Sequence, residues 1–160
     1  MKNLENKLKI SQFIWLALTG SMVFYGTMPI LIPDLAKIKG DFLPKNILFG
    51  IACTLAVFSF LIRKVVLNED RIASLLKKSK ASKDSIENST FASVLISYLI
   101  SWTLNESIAI FGLVNYIITM DLNNSLSLVT IGIIMQILSF PKAHVIKETT
   151  KRIQAKIAKT

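Results

Sequence analysis

The sequence predicts an all-α integral membrane protein: a single domain, residues 1–160, folded as a bundle of four transmembrane helices with both termini cytoplasmic. Three observations lead there. Hydrophobic residues make up 52% of the chain and charged residues only 18%, where a soluble domain carries about a quarter. The charges crowd into a few segments between long apolar runs. Those charges are mostly basic and flank the apolar runs, so the net charge of +9 is a signal of membrane orientation and not of nucleic-acid binding. Disorder and an ordinary water-soluble globule are the classes this pattern excludes, and no nucleic-acid partner is expected.

About 20 apolar residues cross a hydrocarbon core of ~30 Å, and four segments meet that requirement. The first is 12–32, closed by Pro33 and Asp34. Lys2, Lys7 and Lys9 precede it as in a secretory signal, but it is too long for a signal core and no small-x-small cleavage site closes it, so it is read as a retained span. The second is 46–67, whose last turn reaches the headgroups at Arg63 and Lys64. The third, 91–120, lacks proline and any turn signal; it is one tilted helix or a helix with one end in the interface. The fourth, 125–140, is short and stops at Pro141 and Lys142.

Charge partition tests the layout without reference to hydropathy. Four spans place both termini and the loop 68–90 on one side, which then collects sixteen of the nineteen Lys and Arg residues, leaving Lys37, Lys39 and Lys45 opposite. The positive-inside rule makes the first side cytoplasmic. The expected location is the inner (plasma) membrane, crossed several times.

Two basic segments carry helical patterning of their own. Ile72, Leu75 and Leu76 recur at helical spacing before Lys77 and Lys78 in the loop, and Ile146, Ile153 and Ile157 do so within the tail 141–160. Two readings stay open: basic amphipathic helices on anionic lipid headgroups or a partner, or solvated helical extensions whose lysines enforce topology. The expected partners are the bilayer, anionic headgroups at this loop and tail, and other membrane subunits or further copies of the chain.

Nine of the ten carboxylates fall in loops or tails; the tenth, Glu106, lies midway along the third span. Placing a charged carboxylate at that depth costs on the order of 2.5 to 3.5 kcal/mol on insertion scales, and no Lys, Arg or His falls within the interior of a span to pair with it. Such a group is expected to hold a proton or to bind a passing ion. Glu106, with its neighbour Asn105, is therefore the candidate ion-binding position, and the other reading of Glu106 is a protonated, hydrogen-bonded packing residue facing the first span.

At 100° per residue, Ser97, Ser101, Asn105, Ala109, Gly112, Asn115, Tyr116 and Thr119 share a sector of roughly 120°, and aliphatic residues fill the other side. Small and amide side chains suit close helix packing, which makes Ser97, Ser101, Ala109, Gly112 and Asn115 packing candidates. Glu106 lies on the flank, near Leu99, Trp102, Ile110 and Leu113. The first span offers a matching surface in Ala17, Thr19, Gly20, Ser21, Tyr25, Gly26 and Thr27, with Gly20 and Gly26 as its packing candidates.

The stretch Glu106, Ser107, Ile108, Ala109, Ile110, Phe111, Gly112, Leu113, Val114 resembles the carboxylate helix of the rotor proteolipid, or c subunit, of F-type and V-type ATP synthases. The resemblance covers residues 106–114 and implies that Glu106 carries H⁺ or Na⁺, with Ala109 and Gly112 admitting a neighbouring helix. The rest of the chain departs from that family: its six glycines are scattered and form no Gly-rich helix before the carboxylate.

The single cysteine, Cys53, excludes an intrachain disulfide and is read as a small packing residue; His144 is read as an interfacial anchor. Asn88-Ser89-Thr90 and Asn105-Glu106-Ser107 match the glycosylation triplet but fall in the cytoplasm and the bilayer respectively. No Ser/His pair, carboxylate pair or metal-ligand cluster falls within the spans, so a non-enzymatic protein with no cofactor is expected. The reading that follows is an accessory or assembly subunit packing with other membrane proteins, and its alternative is a proteolipid-like component translocating a proton or Na⁺ through Glu106.

Overall fold

Six α-helices and no strand occupy the residues that the computed structural model describes, 2–32, 45–66, 68–78 and 83–159. They are α1 (Lys2–Leu31), α2 (Lys45–Val66), α3 (Glu69–Lys78), α4 (Lys83–Thr119), α5 (Leu122–Leu138) and α6 (Ala143–Lys159). The expected stop at Pro33 and Asp34 and the opposite-side charges Lys37 and Lys39 lie outside the described residues.

The helix boundaries follow local chemistry. α1 ends two residues after Pro29, which removes a backbone donor in the last turn. Asn68 caps α3 by accepting from the backbone N–H groups of Asp70 and Arg71, and Glu69 and Asp70 place negative charge at the positive end of that helix. α4 runs 37 residues without a break, which makes the third apolar segment one helix whose first turns extend beyond the apolar part. Met120 ends α4 in the left-handed region at φ 55°, and Asp121 caps α5 by accepting from the N–H of Asn124, so two residues turn the chain back on itself. α5 stops before Pro141, and α6 leaves it at a bend of 58°.

Contacts along the helices give their directions. Lys7 meets Asn88 and Ser21 meets Glu106, so α1 and α4 are parallel. Ser125 bonds to Gly112 and Asn105 to Gln136, so α5 is antiparallel to α4. Ser59 meets Ser101 while Ala52 packs with Ile108, so α2 is antiparallel as well. α4 is the central element, packed on α1, α2 and α5; α1 and α2 each also pack on α5.

Two helices, over Glu5–Leu31 and Asn88–Thr119, are long and apolar enough to cross a membrane. Leu122–Leu138 with Ala143–Ala158 meets the same test only as a bent pair, giving up to three, and the apolar part of α2, Ile47–Ile62, is shorter. The second and fourth expected spans are thus the shorter ones: the apolar part of α2 stops before the basic Arg63 and Lys64, and α5 is only 17 residues long. Large apolar side chains face outward from α1 (Phe13, Leu16, Phe24) and α2 (Val57, Phe58, Phe60). Cys53 is also exposed on α2, and so does not pack in the interior as the sequence suggested.

The apolar stripes of α3 and α6 turn inward. Ile72, Ile146 and Ile153 are buried in one cluster with Leu8, Phe91 and Trp102, and the two helices are tied by Lys156, which bridges Glu69 at 3.1 Å and Asp70 at 2.8 Å. These hydrogen bonds, Asp70 first and Glu69 second, hold the Lys156 ammonium above its ordinary pKa.

Candidate functional site

About two-thirds of the way along α4, Glu106 is half-buried on the edge that faces α1. Its Oε1 accepts from the Ser21 hydroxyl at 2.7 Å and, at 3.4 Å, from the Tyr25 hydroxyl. Ser21 and Tyr25 are four residues apart on α1, and that spacing stacks both hydroxyls on one face. The Ser21 Oγ also lies 2.7 Å from the carbonyl oxygen of Leu18. A serine hydroxyl has one proton, so Leu18 O and Glu106 Oε1 compete for it. The first span was expected to offer hydroxyl groups to the third, and here Ser21 and Tyr25 do so.

A second set of polar groups lies one residue away, about 100° round the axis of α4. The Asn105 side chain is fully buried: its Oδ1 accepts from Ser59 Oγ of α2 at 2.6 Å, and its Nδ2 donates to Gln136 Oε1 and Ser139 Oγ, both at 3.2 Å. Ser101 Oγ lies 3.0 Å from Ser59 Oγ. The short bond to Asn105 takes the Ser59 proton, so Ser101 is the donor between the two serines. Two indoles close the set. Trp15 Nε1 donates to Gln136 O and Trp102 Nε1 to Ser139 O, each at 2.9 Å, satisfying carbonyls at the end of α5, where the helix ladder stops before Pro141. The Gln136 Nε2 is buried without a hydrogen-bond partner.

This geometry corrects the expected pairing of faces. The Ser/Asn face of α4 meets α2 and α5, while α1 takes the flank bearing Glu106. Close approach of α5 causes it: Gly132 sits against the backbone of Asn105 and Ala109, and Gly112 against Ser125 and Val129. Among the other packing candidates, Gly26 meets Val129, Ser97 is buried and donates to Val94 O, and Asn115 is buried. Gly20 has no neighbour within 4 Å of the position a side chain would take. Asn105 therefore belongs to the buried α2/α4/α5 set, and Glu106 to the α1/α4 seam.

Ser59, Gln136, Ser139, Trp15 and Gly132 went unrecognised in the sequence. Ser59 and Gln136 did carry a signal, since each is a polar residue inside an apolar run, where polar groups are expensive unless paired. Among the described residues, no three His, Cys, Asp or Glu side chains gather as a metal-binding group. What gathers at Glu106 is oxygen only: a carboxyl, two hydroxyls and a carbonyl.

No protein-family model matches the chain, and no curated protein or solved structure matches it either.

Proposed function

We propose that the chain is a non-enzymatic, multi-pass membrane subunit that works by packing with other membrane proteins. In this reading α1, α2, α4 and α5 are four spans and both termini are cytoplasmic. The supporting lengths are about 33 Å for the 22 residues of α2 and about 26 Å for the 17 of α5, close to a ~30 Å core. The parallel and antiparallel pairings fit four alternating spans, and the Lys and Arg partition fits cytoplasmic ends.

The observation that carries the reading is how polarity is distributed. Ser59, Ser101, Asn105, Gln136 and Ser139 spend their hydrogen bonds on one another inside, while α1 and α2 present large apolar side chains outside. Such a surface suits lipid and neighbouring membrane helices. The basic composition of the loop and tail, with Lys151 exposed on α6, supports attraction to anionic headgroups. Sedimentation of the full chain extracted in a mild detergent tests this. An assembly larger than one chain plus its micelle is expected; a monomer from native membranes would overturn the reading.

The competition for the Ser21 proton favours a second reading, in which Glu106 binds a cation. A proton on the carboxyl lets Ser21 bond to both neighbours at once, with Leu18 O accepting and Glu106 donating. Hard metal cations such as Ca²⁺ and Mg²⁺ gather about six oxygen ligands, more than this cluster offers, so H⁺ is the better fit. The test is Glu106→Gln: abolition of a proton-coupled activity with assembly and stability intact supports the carrier, whereas loss of stability alone removes it.

A further inference from the structure

Where α1 and α4 begin, a groove of about 250 Å³ opens between them, lined by Lys7, Ile10, Asn88, Phe91, Ala92 and Leu95. It is apolar along most of its length and charged at one end only. Phe91 is buried and forms the floor; Ile10 and Ala92 are exposed along the sides. Lys7 does not extend into solvent in the usual manner of an interfacial lysine. It is half-buried, with its Nζ donating to Asn88 Oδ1 at 2.7 Å and standing 5.9 Å from the centre of the Phe91 ring. Two contacts to residues far away in sequence fix one ammonium above an oily slot.

We propose that this groove binds one anionic phospholipid, with the phosphate on Lys7 and a segment of acyl chain along Ile10, Phe91, Ala92 and Leu95. The inference rests on the membrane reading of α1 and α4. Lys7 lies five residues before the start of the first apolar segment at 12, about 7 Å along the helix axis, which is headgroup depth. An ammonium has three donors, and Asn88 uses one. Among the described residues no carboxylate lines the groove; Glu5 of α1 is exposed. The polarity sequence of the site, cation then aromatic ring then aliphatic wall, matches that of a phospholipid from headgroup to tail. A soluble phosphate compound would use only the Lys7 end, and a zwitterionic lipid would bring its own headgroup cation against the Lys7 ammonium.

Native mass spectrometry of the full chain released from nanodiscs provides the test, using phosphatidylglycerol and phosphatidylcholine of equal chain length, and soluble glycerol phosphate as competitor. One retained phosphatidylglycerol is expected in preference to phosphatidylcholine, with no displacement by glycerol phosphate. Lys7→Gln should lower that retention about fivefold, the factor equivalent to about 1 kcal/mol per basic residue at an anionic surface. Lys7→Arg should restore it, and Ala92→Phe should fill the slot and remove both lipids. Lys9→Gln, which deletes the same charge from an exposed position on the same helix, should change nothing. Equal losses for Lys7→Gln and Lys9→Gln, equal retention of the two lipids, or displacement by glycerol phosphate would each overturn the proposal. Failure of the wild-type chain to enter nanodiscs at all would instead overturn the membrane reading beneath it.

Discussion

Gly112→Ala probes the tightest point between α4 and α5. A methyl group there would stand 2.8 Å from the Ser125 carbonyl oxygen and 2.8 Å from Val129 Cγ2, against 3.4 Å or more in ordinary contact. The first of those atoms is backbone, so relief requires α5 to move out by about 0.6 Å (3.4 − 2.8). The Ser125 hydroxyl, which donates to Gly112 O at 2.7 Å, would then be stretched to about 3.3 Å, beyond the ~3.0 Å limit of a good O–H···O bond. Overpacking of this kind costs about 1–3 kcal/mol. Replacing a helical glycine by alanine returns about 0.5–1 kcal/mol of backbone entropy wherever it is done. Gly20→Ala on α1 isolates that second contribution, because nothing lies within 4 Å of its added methyl. The two variants should therefore differ by about 1–3 kcal/mol, with Gly112→Ala the less stable. Reversible unfolding in mixed detergent micelles, followed by helical circular dichroism, measures the difference. Equal stabilities would refute the close approach of α4 and α5 at Gly112.

Four further substitutions test other parts of the structure. Met120→Gly should stabilise the chain by about 0.5–1 kcal/mol in the same unfolding assay, because Met120 holds a left-handed backbone that favours glycine. Asn105→Leu should cost about 1–3 kcal/mol by leaving the buried Gln136 Oε1 unpaired while Ser59 keeps Ser101 as its partner, whereas Gln136→Met, which also removes the unpartnered Nε2, should stay within about 1 kcal/mol of wild type. The α3–α6 tie should depend on pH: the Lys156 pKa is raised by Asp70 and then Glu69, so its contribution is present below the ordinary lysine range and is lost as pH rises through the elevated value. A spin-label distance between Ser74 and Ala155 should lengthen only at strongly alkaline pH, and Lys156→Gln should remove that transition.

The helices themselves were legible in the sequence, since periodicity and the placement of Pro141 and Asp121 act locally. The third segment, with its polar side and the displaced Glu106, could be drawn on a helical wheel. Its partners could not. Which helix meets the Ser/Asn face depends on where backbones approach, and Gly132 sets that approach from a helix whose other small residues gave no period. The same limit applies to α3 and α6. Their apolar stripes were visible, but burial of Ile72 against Ile146 and Ile153 depends on a bend at Ser139 and Pro141 that folds the tail back toward the loop. Trp102 read as a flank residue beside Glu106 and Trp15 carried no reading, because their acceptors, the carbonyls of Ser139 and Gln136, are set by where α5 ends. Glu106 was legible for the opposite reason: a lone acid in an apolar run is conspicuous whatever packs around it.

The central claim is that this acid lies in hydrocarbon against Ser21 and Tyr25. Carbodiimide labelling of intact membranes tests it most directly, read by mass spectrometry of the α4 peptide. The account predicts modification of Glu106 by a hydrophobic carbodiimide and none by a water-soluble one, with the signal absent in Glu106→Gln. Labelling of Glu106 at equal rates by the two reagents would contradict it, because the carboxyl would then be standing in water.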